Sequence, residues 1–380
     1  LNIDIMSLIN NSLNIDKSNW KLIKLIDLAE EISERVNNPD KSSYERFVSL
    51  DHFVSGDIKI KNWQTTEKLV SAAKEFKAGD VLFARRNAYL RRASLVDFDG
   101  CCSGDAFVLR ENHKVVPGFL VYVMNSSKLW DYAISNAAGT MSKRVKWRDL
   151  SEYKILLPPK NEQEKLIKLL LELDQLIESE KNLFKCVDDL FKIKIKYISD
   201  NDAHKGEYRK IKEVCKIKDN LRKPLNKSQR NKIKGDIPYY GSNGLADLVN
   251  KFIFDEDLVL IAEDGGNFNE FYSKKIAYMI SGKSWVNNHA HVLSADNKII
   301  STEWLLYSLM HKNIIKFIIG TTRLKLNKSA LENIMIWVPS YKKMKLLSDE
   351  VQNIALSRKN ILDKISLSKK LQKNLINQIF

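Results

Sequence analysis

The chain repeats itself. Residues 155–166 read ILLPPKNEQEKL and residues 336–347 read IWVPSYKKMKLL. In each, an apolar strand-like run meets proline and gives way to a long helical pattern. With no gap, Gly139-Thr140 aligns with Gly320-Thr321, Leu150 with Leu331 and Pro158 with Pro339, all at an offset of 181 residues. Upstream the anchors continue at shifted offsets. Trp20-Lys21-x-Ile23-Lys24 parallels Tyr208-Arg209-x-Ile211-Lys212, and Val81-Leu82-Phe83-Ala84 parallels Val259-Leu260-Ile261-Ala262. Asp105-Ala106-Phe107-Val108-Leu109 parallels His289-Ala290-His291-Val292-Leu293. A changing offset means that the loops between anchors differ in length. The chain is therefore two copies of one unit, each a mixed α/β domain followed by a long helix. The expected layout is an N-terminal segment 1–19, a first domain 20–157, a central helix 158–206, a second domain 207–338 and a C-terminal helix 339–380.

The helices carry their own signals. Pro158 and Pro159 stop the preceding strand from continuing in a ladder. Asn161 is a cap candidate, and Glu164 would close a capping box. Leu166, Leu169, Leu173, Leu176, Leu183, Val187, Leu190 and Tyr197 then alternate steps of three and four, with Glu180 and Lys194 in the two remaining positions. This predicts a coiled-coil seam, about 55 Å long from 162 to 198 at 1.5 Å per residue. In the second helix Val351, Ile354, Arg358, Ile361 and Ile365 keep the alternation. Leu367, Leu371, Leu375 and Ile379 then recur every four, so the expected seam drifts. Each helix finds its obvious partner in the other, paired in parallel or antiparallel. An antiparallel pair relates the copies by a pseudo-twofold axis and spaces two domains along a rod. Packing of each helix on its own domain is the alternative.

Charge narrows the function. The 380 residues hold 62 Lys and Arg against 47 Asp and Glu, a net charge of +15. A basic folded chain suits a polyanion, most often nucleic acid, although a lysine-rich composition alone gives the same sign. No run of 18 apolar residues predicts a membrane span, and the first residues lack a signal-peptide pattern. Cys101, Cys102, Cys186 and Cys215 fit neither a disulfide framework nor zinc spacing, and read as reduced thiols of a cytoplasmic protein.

The domains diverge where contacts would be made. After VLFA the first carries Arg85, Arg86, Asn87, Tyr89, Arg91 and Arg92, groups that contact phosphate or read guanine. Lys143, Arg144 and Lys146 follow the Gly139-Thr140 turn. Arg323 and Lys325 follow the matching turn, which favours backbone contact in both copies; a face of the spacer is the other reading. The second domain offers Tyr239, Tyr240, Ser242 and Asn243 in a Pro- and Gly-marked loop, and then Lys283, Ser284, Asn287 and Asn288. Asn can read adenine. Glu263 and Asp264 stand where the first copy has Arg85 and Arg86, and acids there could accept from cytosine N4. Two domains with opposite charge at one place imply an asymmetric target.

Other motifs are weaker. Ala277-x4-Gly282-Lys283-Ser284 fits a loose P-loop, but a strand-like run follows it rather than a helix. Pro39-Asp40…Asp57-Ile58-Lys59 fits the loose acidic pattern of metal-dependent nucleases, in which Asp40, Asp57 and Lys59 would hold Mg²⁺. Leu157-Pro158-Pro159-Lys160 lacks the Asn or Asp of an amino-methyltransferase motif. His289-Ala290-His291 has no further zinc ligand at a telling spacing. A stand-alone nuclease and a protein-only coiled-coil adaptor remain the alternatives to DNA recognition.

The tandem layout, with GTMSKRVKWRDL and ILLPPKNEQEKL in one copy and GTTRLKLNKSALENIMIWVP in the other, resembles the DNA-specificity subunit of type I restriction–modification enzymes. PYYGSNG, LVLIAEDGGNF and WVNNHAHVL resemble that family's target-recognition domain. The likeness covers nearly the whole chain. It implies an α+β fold of two target-recognition domains joined by two long helices in an antiparallel coiled coil. It implies no catalysis on this chain: each domain reads one half of a bipartite site in double-stranded DNA. Two methyltransferase subunits carrying S-adenosylmethionine would bind alongside, with restriction subunits adding ATP- and Mg-dependent steps. Residues 237–244, 263–267 and 284–289 would face DNA in the second domain, and 85–92 in the first. The first domain has no residue-by-residue match to the YGSNG loop.

Overall fold

The computed structural model describes residues 15–200, 204 and 207–380. Residues 1–14 of the expected N-terminal segment, and five positions between 201 and 206, lie outside the described residues. The chain divides into two compact units, one formed by residues 1–182 together with 362–380 and the other by 183–361. The second is nested in the sequence of the first. None of the described helices is long and apolar enough to cross a membrane.

In the first unit a ribbon of β1 (Lys21–Lys24) and β11 (Lys154–Leu157) closes the domain, with Lys21 opposite Leu157. An antiparallel sheet has the order β2 (Ala29–Ile32), β10 (Ala106–Glu111), β7 (Val81–Ala84), β8 (Ala93–Leu95). A second sheet has the order β3 (Arg35–Val36), β6 (Ala73–Phe76), β9 (Gly100–Cys102), β4 (Arg46–Val48), β5 (Gln64–Thr65). In it β4 runs parallel to β9. Val81, Leu82, Phe83 and Ala84 are all buried, because both faces of that strand are covered. Against it packs α1 (Ser127–Ser135), capped by the Ser126 hydroxyl, which accepts the Leu129 N–H. Its Trp130 stacks on Phe83 at 4.4 Å.

The second unit repeats the plan. Its ribbon pairs β12 (Tyr208–Lys210) with β21 (Met335–Trp337). Its first sheet has the order β13 (Cys215–Ile217), β20 (Ala290–Ala295), β17 (Leu258–Ala262), β18 (Ala277–Ile280). The other has the order β15 (Gly244–Val249), β14 (Ile237–Gly241), β19 (Lys283–Val286), β16 (Phe254–Asp255), with β14 parallel to β19. The Pro-joint therefore recurs because each domain ends on a strand that pairs with its own first strand. Proline there ends the ladder and turns the chain into a helix.

The long helices are α2 (Lys160–Ser199) and α4 (Tyr341–Ile379); α3 (Thr302–Leu309) is the second unit's counterpart of α1. Helix α2 begins at Lys160, ahead of the expected Asn161 cap. Glu162 and Gln163 N–H groups bond the Pro159 carbonyl. The buried Gln163 side chain fastens this first turn to Val116 and Lys114, so no Asn161–Glu164 box forms.

The seam of α2 lies one position from the expected stripe. Leu169, Leu176, Leu183 and Leu190 are 42–53% exposed, and Leu166, Leu173 and Val187 are only partly covered. The inward stripe is Gln163, Ile167, Leu170, Asp174, Ile177 and Lys181 in the first unit. In the second unit it is Phe184, Asp188, Phe191, Ile195 and Ile198. This too alternates by three and four, but three of its middle positions are charged, which hid it behind the leucines. Each charge is answered. Asp174 accepts from Tyr122 and Gln372, Lys181 reaches Asp57, and Asp188 pairs with Arg358. On α4 the expected Val351, Ile354, Arg358, Ile361 and Ile365 do turn inward. The seam then stays in heptad register through the buried Ser368 and Gln372 to Leu375 and Ile379, without the expected drift.

Within each unit the two helices run antiparallel. In the first, Asp174 meets Gln372 and Glu180 meets Ser368. In the second, Asp188 meets Arg358 and Lys194 meets Glu350 at 2.7 Å. Helix ends join the domain cores. Ile167, Leu170, Leu375, Ile376 and Ile379 belong to the first, and Phe191, Ile195, Ile198, Leu347 and Val351 to the second. Full burial of one such residue contributes about 2 kcal/mol.

Candidate nucleic-acid interface

Three chain segments meet beyond the central strand of each unit. In the first unit, Arg85 N–H donates to the Asp105 carbonyl at 3.0 Å, Val145 N–H to the Arg85 carbonyl at 2.9 Å and Asn87 N–H to the Lys143 carbonyl at 3.1 Å. In the second, Glu263 N–H donates to the His289 carbonyl and Leu326 N–H to the Glu263 carbonyl, both at 2.8 Å. The same lattice thus equates Arg85 with Glu263, Asp105 with His289 and Arg144 with Lys325. The third segment arrives through a glycine turn in each: Gly139 has φ +118° and Gly320 φ +89°. A Cβ on Gly320 would stand 2.4 Å from the Arg323 carbonyl oxygen, so only glycine fits.

Charge inverts on this common frame. In the first unit Asp105 takes Arg144 Nε at 2.8 Å and Nη2 at 3.2 Å, with Arg86 at 3.6 Å. Those bonds, Arg144's first, hold its carboxyl below the usual range. In the second unit Asp264 faces Arg323 at 2.7 Å and His289 at 2.9 Å. Glu263 faces Arg222 at 2.8 Å and Lys325 at 3.3 Å. Burial pushes both acids up, but the hydrogen bonds from Arg222 to Glu263 and from Arg323 to Asp264 lead the contacts that outweigh it and hold both below their ordinary values.

The expected contact residues divide into those brought to these loops and those withdrawn. In the first unit Arg86, Tyr89, Lys143 and Lys146 are exposed. Arg86 Nε donates to Ser142 Oγ at 2.8 Å. Arg91 pairs with Asp131 at 2.6 Å, and Arg92 donates to the Leu50 carbonyl at 2.8 Å. Arg85 is partly withdrawn and lies over the Phe107 ring at 5.3 Å. Asn87 and Arg91 hold φ +54° and +49°, a left-handed backbone that costs free energy and marks a loop held in shape by its surroundings.

In the second unit Asn243 Nδ2 donates to the Gly265 carbonyl at 2.9 Å. Asn287 Oδ1 accepts the His289 N–H at 2.8 Å, and Asn288 is exposed. Ser242 is partly exposed in the same hairpin turn. Lys283 is exposed, above the Phe252 ring at 5.1 Å. Two expectations fail. Tyr239 is 2% exposed, its hydroxyl taking the Leu225 N–H at 3.0 Å, and Ser284 is 0% exposed. Both lie on the parallel strands β14 and β19, whose inward positions are core. Tyr240, on β14, is partly covered by the core around Phe254 and Leu260.

Sequence reasoning missed Arg222, which ties Glu263 to the carbonyls of Asn288 and Ala290. It stands 41 positions before Glu263, and no local spacing reveals it. The loose P-loop is a strand, a turn and a strand, with no helix to receive phosphate. Asp57 is enclosed by Lys61 at 3.7 Å, Lys181 at 3.4 Å and Lys369 at 3.3 Å, while Asp40 accepts the Lys68 N–H. Among the described residues one group has metal-ligand proximity: Asp219, Glu263 and His291, with ligating atoms within 4.8 Å of one another. It does not fit a cation. Arg222 already lies against both acids, and His291 Nε2 meets the Leu326 carbonyl at 2.7 Å, where it must carry a proton.

Two copies of one domain, each followed by a long helix and each presenting a loop cluster of its own charge pattern, define a tandem recognition protein. The family model for the type I restriction modification DNA specificity domain matches twice, over residues 17–197 and 204–379. The chain belongs to that family. The putative type I restriction enzyme specificity subunit S.HindORF215P of Haemophilus influenzae is 40% identical over 133 residues, 35% of this chain and 33% of that protein. The type I restriction enzyme EcoDI specificity subunit of Escherichia coli is 26% identical over 161 residues, 42% and 36% of the two chains. The matched stretch thus spans about a third of the length of each curated relative. The fold resembles a solved chain described under complex assembly and conformational transition of the type I R-M system, with TM-score 0.62, 19% identity and 95% and 97% of the chains covered. It also resembles the S subunit of the type I system of M. genitalium, with TM-score 0.58, 16% identity and 97% and 98% covered.

Proposed function

We propose that this chain is the sequence-reading, non-catalytic subunit of a type I restriction–modification complex, with each unit reading one half of a bipartite, asymmetric site in double-stranded DNA. The observation that carries this reading is the charge inversion at one shared place, Arg85 and Arg86 against Glu263 and Asp264. Arginine is suited to phosphate and to guanine O6 and N7; a carboxylate accepts from cytosine N4 and repels phosphate. Two domains that differ there have no reason to read the same bases. The cations Lys143, Lys146 and Arg323 supply backbone contact, which sets register and steepens salt dependence.

The exposed heptad leucines of α2 give the complex its protein side. Leu169 and Leu176 in the first unit, and Leu183 and Leu190 in the second, recur every seven residues outside the seam. In water such a stripe is a docking surface for apolar helices. Two methyltransferase subunits would occupy it. S-adenosylmethionine would be held by them, and ATP and Mg²⁺ by restriction subunits, in the cytoplasm. The test is co-expression with the neighbouring methyltransferase and base-resolution methylation mapping of the host DNA. Methylation at a split, asymmetric motif that vanishes without this chain is the expected result; an unchanged methylome refutes the reading.

A further inference from the structure

The second sheets of the two units supply a correspondence the sequence hides. In the second unit β14 runs parallel to β19, turns at Ser242-Asn243 and returns as β15, in the order β16-β19-β14-β15. In the first unit β6-β9-β4-β5 has the same order and the same parallel pair. Ser103 N–H donates to the Val48 carbonyl as Asn287 N–H donates to that of Tyr240, both at 3.0 Å. Val48 is therefore the counterpart of Tyr240, and Ser49 of Gly241. The two-residue turn of the second unit has become the excursion 49–63 of the first.

The start of that excursion is built and placed like a reading loop. Ser49 Oγ accepts the Asp51 N–H at 3.3 Å, and His52 Nδ1 accepts the Ser49 N–H at 3.0 Å, closing a rigid turn. With Nδ1 accepting from Ser49, Nε2 is the ring nitrogen left to donate. Asp51 is exposed. The turn packs on the arginine loop: Arg92 Nη1 donates to the Leu50 carbonyl at 2.8 Å and Ser55 Oγ to the Arg91 carbonyl at 3.5 Å. In the second unit Asn243 makes the equivalent link to Gly265. Both units therefore join the loop after the parallel strand to the loop after the central strand.

We infer that residues 49–53 are the first domain's base-reading loop, with the Asp51 carboxylate accepting from a cytosine N4 amine and His52 Nε2–H donating to a purine acceptor in the major groove. This rests on the DNA-reading role proposed above. A good base contact discriminates by about 1–3 kcal/mol, roughly 5- to 150-fold.

The experiment uses the full chain co-expressed with its methyltransferase, comparing wild type, Asp51→Asn, His52→Gln and Asn243→Asp by methylation mapping, with melting temperatures of the purified chains. Asp51→Asn should lower preference at one position of one half-site by about fivefold or more and leave the other half intact. Asn243→Asp should change the opposite half. The assignment is overturned if Asp51→Asn and His52→Gln both keep wild-type preference in both halves. It is also overturned if they alter the half that Asn243→Asp alters, or abolish methylation everywhere at an unchanged melting temperature. A wild-type chain that directs no split motif overturns both this inference and the reading beneath it.

Discussion

Asp105 grips Arg144 with both carboxylate oxygens, at 2.8 and 3.2 Å, and so ties the turn before β10 to the basic segment after Gly139. It also answers Arg86. Replacing it with Asn leaves the frame of backbone bonds intact and releases two cations towards solvent. Asp105→Asn should bind DNA more tightly at low salt, with a log K against log salt slope steeper by about one. Anisotropy titrations at several salt concentrations measure this, and an unchanged slope would place these arginines away from DNA.

The exposed leucines of α2 separate assembly from folding. Leu176→Glu and Leu183→Glu replace side chains that are 45% and 53% exposed. The stability of the isolated chain should change by less than about 0.5 kcal/mol, while co-purification with methyltransferase subunits is lost. A melting temperature that collapses in either variant would mean that the stripe is buried in the lone chain.

Arg358 covers the seam of the second unit. Its guanidinium lies over the Phe191 ring at 4.4 Å and pairs with Asp188, which keeps Lys192 as a second partner at 2.7 Å. Arg358→Ala should cost about 1–2 kcal/mol through lost cation–π contact and packing rather than lost charge alone. Arg358→Met should recover part of it. Thermal denaturation reads the difference, and equal losses in both variants would point to charge instead.

Asp174 should make the first unit's stability depend on pH in an unusual sense. Burial raises its pKa, and bonds from Tyr122 and Gln372 offset this only in part. A carboxyl whose folded value exceeds its unfolded one, about 3.9, stabilises fully below that value and loses its contribution as pH rises through the folded one. Asp174→Asn should therefore be at least as stable as wild type at pH 7 and gain nothing near pH 4. Urea titrations at the two pH values check this.

The loop acids behave in the opposite sense. Asp105, Asp219, Glu263 and Asp264 are all held below their ordinary values. Their stabilisation is present above the unfolded range and is lost as pH falls through the folded values. Glu263→Gln with Asp264→Asn should flatten the stability decline between about pH 5 and pH 3, as followed by denaturant midpoints. A decline as steep as wild type would assign it to other carboxyls.

What was legible in the sequence was whatever rests on local chemistry. The prolines at 158 and 339, the paired Gly-Thr turns and the apolar strands 81–84 and 259–262 announce the repeat and its joints, because each is a backbone requirement written in one or two residues. The seam of α2 was read one position off. Its inward positions Asp174, Lys181 and Asp188 find partners in Gln372, Asp57 and Arg358, all remote in sequence, while the strongest leucine pattern faces out. The same remoteness hid Arg222 and the kinship of Ser49 with Gly241, which only strand order reveals. Tyr239 and Ser284 look like surface chemistry because a loop motif surrounds them, yet the parallel pairing of β14 with β19 places them inside.

The nesting of one unit within the other sets an order on synthesis. The first unit's core needs Leu375, Ile376 and Ile379 from α4, and its pin at Asp57 needs Lys369. A ribosome must therefore make all of residues 183–361 before the first domain can be sealed. Until then the surfaces of Ile167 and Leu170 wait uncovered, and a chain interrupted just after residue 361 would carry a finished second domain and an open first one.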